Sequence, residues 1–297
     1  GSGGIGSPVE RHRLRVQALA GLAKAAQQER RQDAGEQWAT VVDEARAALG
    51  ERHPLVLNCA TDFAEWLQRA GRGSEAEVLA RRALDNAGLH RAEQRLRATN
   101  VLAVSLQESA RHDEAEPLLR AVLADPGART LGAGSAPLRA AAANNLAASL
   151  LGYGRIAEAE PLVREAADLH KSRYAGSPVR NGKDALTESE DALSVLQNLA
   201  LVALQKGRLD DAIAHQKQFT LGLRKVGTKR QTLDAQYMLA AMLFQRSQSG
   251  SGRSNDAAQA KKLLSKSCEG YSKLQGSGSA EATKCLTNLA SMGGVKS

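Results

Sequence analysis

Six histidines, three cysteines and 32 carboxylates are the groups with which this 297-residue chain could hold a metal or activate a nucleophile. Their spacing supports neither chemistry. His12, His53, His90, His112, His170 and His215 fall in different segments, and none pairs with Cys, Asp or Glu at metal-ligand spacing. Cys59, Cys268 and Cys285 lack any CxxC partner. The glycine-rich strings 132–135 and 249–252 carry no Gly-Lys-Ser/Thr of a phosphate loop, and there is no Gly-x-Ser-x-Gly elbow. The chain is therefore read as a non-enzyme, with no metal and no cofactor. Odd in number and scattered, the cysteines suggest no disulfide framework and a reducing compartment. Together with Trp38 and Trp66 they read as helix-packing residues.

What does recur is a short polar phrase ending in Leu-Ala. It reads Asn100-Val101 before Leu102-Ala103, Asn144-Asn145 before Leu146-Ala147, and Gln197-Asn198 before Leu199-Ala200. Tyr237-Met238 and Thr287-Asn288 precede two further copies. A carboxamide offers one acceptor and two donors, so it can bond both the N–H and the C=O of an extended peptide. Such a ladder would hold peptide backbone with little regard to side chains. Arg97 and Lys284, one turn ahead of Asn100 and Asn288, would add positive charge to the same face.

Helices must position these groups. Aromatics make up only 3% of the chain, whereas alanine occurs 53 times and proline 7 times, a composition that disfavours β-sandwiches and barrels and favours helix. A second phrase follows the first: residues 71–77 (GRGSEAE), 111–118 (RHDEAEPL), 154–162 (GRIAEAEPL) and 207–212 (GRLDDA). With weaker copies at Ala34 and Ala260, its alanines stand 42, 39, 44, 53 and 48 residues apart. Each of the clear copies at Ala115, Ala159 and Ala212 lies 13 residues after the leucine of the first phrase. One unit is thus a helix, a turn and a second helix. The alanine marks where the two antiparallel helices must approach closely. Asp113 is placed to cap its helix, and Pro117 and Pro161 are placed where a missing N–H costs little.

This pattern resembles the tetratricopeptide repeat, in its longer kinesin-light-chain-like variety. The residues that carry the resemblance are Asn144–Ala147 with Glu158–Leu162, and 49–54 (LGERHP), where His53 shapes the connection. The resemblance covers about Arg11 to Met292. It implies an all-α, right-handed superhelix of about six helix pairs plus a C-terminal capping helix, with the first helix of each pair lining a concave groove. The first unit departs by lacking a Gly-Arg turn, and the sixth by an interrupted turn over residues 247–255. Residues 125–137 and 175–190, rich in Gly, Ser and Pro, read as long connections. Family groove positions map onto Arg97, Asn100, Asn144, Asn145, Gln197, Asn198, Tyr237, Lys284 and Asn288.

The net charge of +8 is unevenly placed. Up to Asp211 there are 27 Lys and Arg against 28 Asp and Glu, a balance of −1; from Ala212 onward the counts are 13 and 4, a balance of +9. Residues 1–10 read as a flexible N-terminal segment or an artificial remnant, and 11–297 as a single solenoid whose last third, 212–297, is basic. Lys217, Arg224, Lys225, Lys229, Arg230, Lys261, Lys262 and Lys266 form the expected basic surface, with Arg246 and Arg253 among its neighbours. The function expected is a scaffold or adaptor that binds a protein or peptide, acidic in character, in the groove, as part of a larger complex. The alternative is a structural component of an organellar ribonucleoprotein that contacts RNA phosphates through the basic third. No apolar run reaches membrane-spanning length, so an intracellular soluble protein is expected, in cytosol or organelle lumen alike.

Overall fold

Two small residues per repeat set how closely the helices meet. In the computed structural model, which describes residues 7–86, 92–126, 136–172, 185–187, 189–249, 253 and 255–293, the anchor alanines Ala76, Ala115, Ala159, Ala212 and Ala260 are completely buried. So are Ala103, Ala147 and Ala240 of the Leu-Ala phrase. Among the described residues there are thirteen α-helices. The chain divides into two compact units, 1–149 and 150–297.

Unit 1 holds α1 (Pro8–Gln28), α2 (Ala34–Leu49), α3 (Pro54–Arg69), α4 (Gly73–Asn86), α5 (Ala92–Glu108) and α6 (His112–Ala124). The division falls within α7 (Ala136–Gly152). Successive helices from α1 to α6 pack on one another, and α3 also touches α1 and α5, so these three first helices stand side by side. Unit 2 continues with α8 (Ile156–Ser172), α9 (Glu190–Gln205), α10 (Leu209–Val226), α11 (Lys229–Gln248), α12 (Asp256–Gln275) and α13 (Ala280–Gly293). Each packs on the next, and a 3₁₀ turn at Ala185–Thr187 fills the angle between α8, α9 and α10. The expected connections at 125–137 and 175–190 lie mostly outside the described residues.

Within five units the turn between paired helices is built identically. The backbone enters the left-handed region at Arg30 (φ 55°), Gly71 (75°), Ala110 (59°), Gly154 (73°) and Gly207 (72°). The next residue is arginine every time, and its N–H reaches back to Ala26, Leu67, Leu106, Leu150 or Ala203 at 2.8–2.9 Å, closing a Schellman motif. Its carbonyl then accepts the N–H of the anchor alanine. The first unit, expected to differ, makes the same turn with Arg30 in place of glycine. In units two to four the arginine side chain also grips the first turn of the following helix through two bonds, Arg72 to Glu75 at 2.6 Å, Arg111 to Glu114 at 2.7 Å and Arg155 to Glu158 at 2.8 Å.

Three local expectations need correction. Arg111, not Asp113, occupies the N-cap of α6, because its carbonyl already serves the alanine. Pro117 and Pro161 lie inside α6 and α8, beyond the first turn. Both prolines and the residues four before them, Asp113 and Ala157, are exposed, so water can serve the carbonyls that lose a partner. The cysteines are not all free. Cys268 of α12 and Cys285 of α13 form a disulfide, with Cα atoms 5.3 Å apart. Each occupies a buried position of its helix facing the other, inside a cluster with Leu233, Leu264 and Tyr271. Cys59 stays a buried thiol, and Trp38 is fully buried as expected, its Nε1–H donating to Gln27 Oε1 at 3.2 Å. His53 caps α3, its Nδ1 accepting the Leu55 N–H at 3.2 Å.

Candidate functional site

The side-by-side arrangement of α1, α3 and α5 brings a row of charge together in unit 1. Lys24 Nζ lies 2.8 Å from Asp62, and Arg97 bonds both Asp62 and, at 2.8 Å, Glu65. Burial works against the Arg97 charge, but Glu65 and Asp62 outweigh it and raise the guanidinium pKa well above its ordinary value. Arg97 is thus held by its own chain rather than presented to an acidic ligand. A cavity of about 390 Å³ opens beside this row, lined by Gln17, Lys24, Asn58, Cys59, Asp62 and Arg97.

One turn along α5 the carboxamides meet. Asn145 Nδ2 donates to Asn100 Oδ1 at 3.3 Å, so two of the expected ladder positions are in contact across neighbouring first helices. Among the described residues the Asn100 amide N–H₂ and the Asn145 amide oxygen make no other protein bond, which leaves N–H donors and one acceptor oxygen on half-buried positions. Below them, Gln68 donates to the Val101 carbonyl at 2.7 Å and Gln107 to the Asn145 carbonyl at 2.9 Å. These glutamines lash each first helix to the next. Asn144 is only 5% exposed and faces the packing, so it leaves the ladder; Val101 is buried likewise.

Unit 2 presents a different face. Gln197 and Met238, both read from the repeat register, line a cavity of about 410 Å³ between α9, α10 and α11. Its walls are chiefly Leu193, Leu201, Phe219, Leu223 and Met242, which periodicity alone did not separate from core. Leu201 is 37% and Met238 47% exposed. Gly222 makes the cavity's helices fit, since a Cβ there would stand 2.2 Å from Leu193 Cδ2. Asn198 is half-buried and is not among the lining residues. Tyr237 and Asn288 bond each other, joining α11 to α13, while Lys284 is exposed one turn away.

The basic residues divide. Lys217, Arg224, Lys229, Lys261, Lys262 and Lys266 are exposed and have no carboxylate partner among the described residues; Lys225 is exposed as well. Arg230 pairs with Glu281 at 2.6 Å. Arg246 does not belong to the surface. It is 3% exposed and makes two bonds of 2.7 Å to Asp256, the first residue of α12, which is itself buried. This pair, extended to Asp210 and Arg253, closes the interrupted turn of the sixth unit. Hydrogen bonding to Arg246 holds the Asp256 carboxyl down at about 2.

Residues 95–135 and 139–174 match the tetratricopeptide repeat family. No curated protein sequence matches the chain. Among solved structures, the chain resembles pilF of Pseudomonas aeruginosa, with 17% identity over 93% of this chain and 99% of that one and a TM-score of 0.59. It also resembles the TPR-like repeats of a putative kinesin light chain from Podosopora anserina, with 22% identity over 75% and 98% and a TM-score of 0.51. A third likeness is to a Rap protein complexed with competence and sporulation factor, with 16% identity over 88% and 69% and a TM-score of 0.55. No helix of the described residues is long and apolar enough to cross a membrane. Residues 95–135 and 139–174 thus carry the tetratricopeptide repeat, and the left-handed turn followed by arginine and the paired helices give the chain a fold similar to these tetratricopeptide-like structures.

Proposed function

We propose that the chain is a non-catalytic scaffold that docks a peptide or protein segment of a partner against the first helices of its repeats. The observation that carries this reading is the Asn100–Asn145 pair, whose single mutual bond leaves N–H donors and one acceptor oxygen for a passing backbone. The likeness in fold to a Rap protein complexed with competence and sporulation factor supports this reading. Selecting a random peptide library displayed on phage against the full chain tests the proposal. Selected peptides are expected to lose roughly tenfold in affinity to an Asn100→Ala/Asn145→Ala double variant while its melting temperature stays unchanged. Unaltered affinity removes the ladder, and a selection that yields no binder removes the scaffold.

A second reading rests on the six exposed cations that lack carboxylate partners in α10 to α12. They would hold RNA phosphates inside a larger assembly, and such contacts release counterions and weaken steeply with salt. Retention of RNA on a filter at low salt, with a shallower salt slope in Lys261→Gln/Lys262→Gln/Lys266→Gln, is the expected result. No retention at low salt ends this reading.

A further inference from the structure

Helix α1 is apolar on two sides. Val16, Ala20 and Ala23 are buried against the rest of unit 1. Roughly opposite them, Leu14 and Leu22 are 56% and 61% exposed, and Ala18 and Ala25 are exposed with them. Spaced i, i+4, i+8 and i+11, these four share one helix face. Counted back from the left-handed residues Arg30 and Ala110, Ala18, Leu22 and Ala25 stand where Ala98, Leu102 and Ser105 stand in α5. Those three are buried, and Ala98 clusters with Leu57 of α3 and Ala83 of α4, the preceding pair. The repeat therefore shapes this face to be covered by helix. On α1 it is open: a Cβ added at Gly21 would meet nothing within 4 Å, and two wet leucines forgo favourable burial. Charges of opposite sign end the stripe. Arg11 and Glu29, five turns apart on the same line, are exposed and have no ion-pair partner among the described residues. Neither suits its own helix dipole, since Arg11 lies near the positive N-terminal end and Glu29 caps the negative C-terminal end.

We infer that this face docks on α1 of a second copy of the chain, antiparallel and crossing near Ala20, to form a symmetric dimer. Crossing there brings Arg11 level with Glu29 of the second copy, Leu14 with Ala25 and Ala18 with Leu22, each to within one residue's rise of about 1.5 Å. Two-fold symmetry repeats every contact. Each leucine meets a small side chain, which lets the helices approach closely. Each end charge meets its opposite, whereas a parallel pairing would set Arg11 against Arg11 and Glu29 against Glu29. Arg15, beside the stripe, stays with Glu44 of its own chain. One helix pair is a small interface, so the expected dissociation constant is on the order of 10 µM. This contact is independent of the docking of a partner segment proposed above.

Sedimentation velocity of the full chain, from about 1 to about 300 µM, is expected to show a reversible monomer–dimer equilibrium. Leu22→Glu changes a side chain already exposed in the single copy. It should weaken dimerisation at least about tenfold and leave the melting temperature of the dilute chain unchanged, and Leu14→Glu should act alike. Arg11→Glu and Glu29→Arg should each weaken the dimer several-fold. The double variant Arg11→Glu/Glu29→Arg should restore it, because the exchanged charges meet again across the antiparallel pair. Both exchanges agree with the helix dipole, so the fold is kept. Circular dichroism melts identify any variant that fails to fold, and Leu22→Ser then takes its place. A chain that sediments as a monomer throughout, or one that assembles beyond a dimer, overturns the inference. So does a dimer indifferent to Leu14 and Leu22. A leucine-dependent dimer that the charge exchange does not restore overturns it as well, because the antiparallel register is what selects a second copy for this face.

Discussion

Charge is handled in opposite ways by the two units. In unit 1 arginines dominate and have carboxylate partners: Arg15 with Glu44, Arg95 with Asp125, Arg97 with Asp62 and Glu65, Arg111 with Glu77 and Glu114. In the later helices of unit 2 lysines dominate, and Lys217, Lys261, Lys262 and Lys266 are exposed with no carboxylate partner among the described residues. The first-helix faces invert this contrast. The unit 1 cavity is lined by polar groups held in its own ion pairs, whereas the unit 2 cavity is walled chiefly by apolar side chains. One turn geometry thus serves both, and the residues it leaves exposed decide what each face can hold. The repeat fixes positions, and substitution at those positions sets the chemistry.

The most severe way to disturb this contrast is to remove the deeply buried Arg246–Asp256 ion pair of unit 2. Arg246→Ala leaves Asp256 charged and without its principal partner, at an expected cost of about 3–5 kcal/mol in a denaturant titration. The pair also predicts an acid limb. The folded pKa of Asp256, about 2, lies below its ordinary 3.8. Its stabilisation is therefore complete above the ordinary value and is lost as pH falls toward 2. Arg246→Ala should lack that limb. Next in size is reduction of Cys268–Cys285, which closes a loop across a separation of 17 residues. Dithiothreitol should destabilise unit 2 by about 3 kcal/mol and leave unit 1 unaffected, read as a shift in only one of two unfolding transitions.

In unit 1, Arg97→Met should cost about 2 kcal/mol, between the worth of exposed and buried pairs, because Lys24 still attends Asp62. Cys59 in the same unit, its thiol pushed up to about 11 by burial, should resist labelling until the unit unfolds. Rapid native labelling would contradict its burial. The smallest effects are gains. Arg30→Gly and Ala110→Gly relieve left-handed strain and should stabilise by about 0.5–1 kcal/mol, since the strain relieved exceeds the added freedom of the unfolded glycine. No gain at either position would show that the turn is not held in that conformation.

Much of the helix register was legible because the alanine and Leu-Ala positions need small side chains wherever two helices touch. Gln197 and Met238 were found in this way. The turn of the first unit was missed because a search for glycine is a search for one residue, whereas the turn requires a conformation that Arg30 and Ala110 also adopt. The invariant arginine after it was the better signal. Arg246 was assigned to the surface because composition counts charges without their partners; an aspartate ten residues later, opening a helix, gave no spacing rule to follow. Cys268 and Cys285 match no short motif, yet each falls on the apolar stripe of its helix, with Leu264 and Tyr271 around one and Ala282 and Leu289 around the other. Arg97 could have been paired from its repeat register, since Asp62 occupies the corresponding ladder position one unit earlier.

The left-handed turn has a kinetic corollary. Its closing bonds join residues only five apart, and the carbonyl that starts the second helix belongs to the same arginine that ends the first. The reversal of direction is therefore encoded within one short stretch, and the contacts that follow run to the neighbouring helix. A chain built this way has low contact order, so its folding barrier reflects closure of short loops. Each helix pair can reverse as soon as it leaves the ribosome, before the next repeat exists.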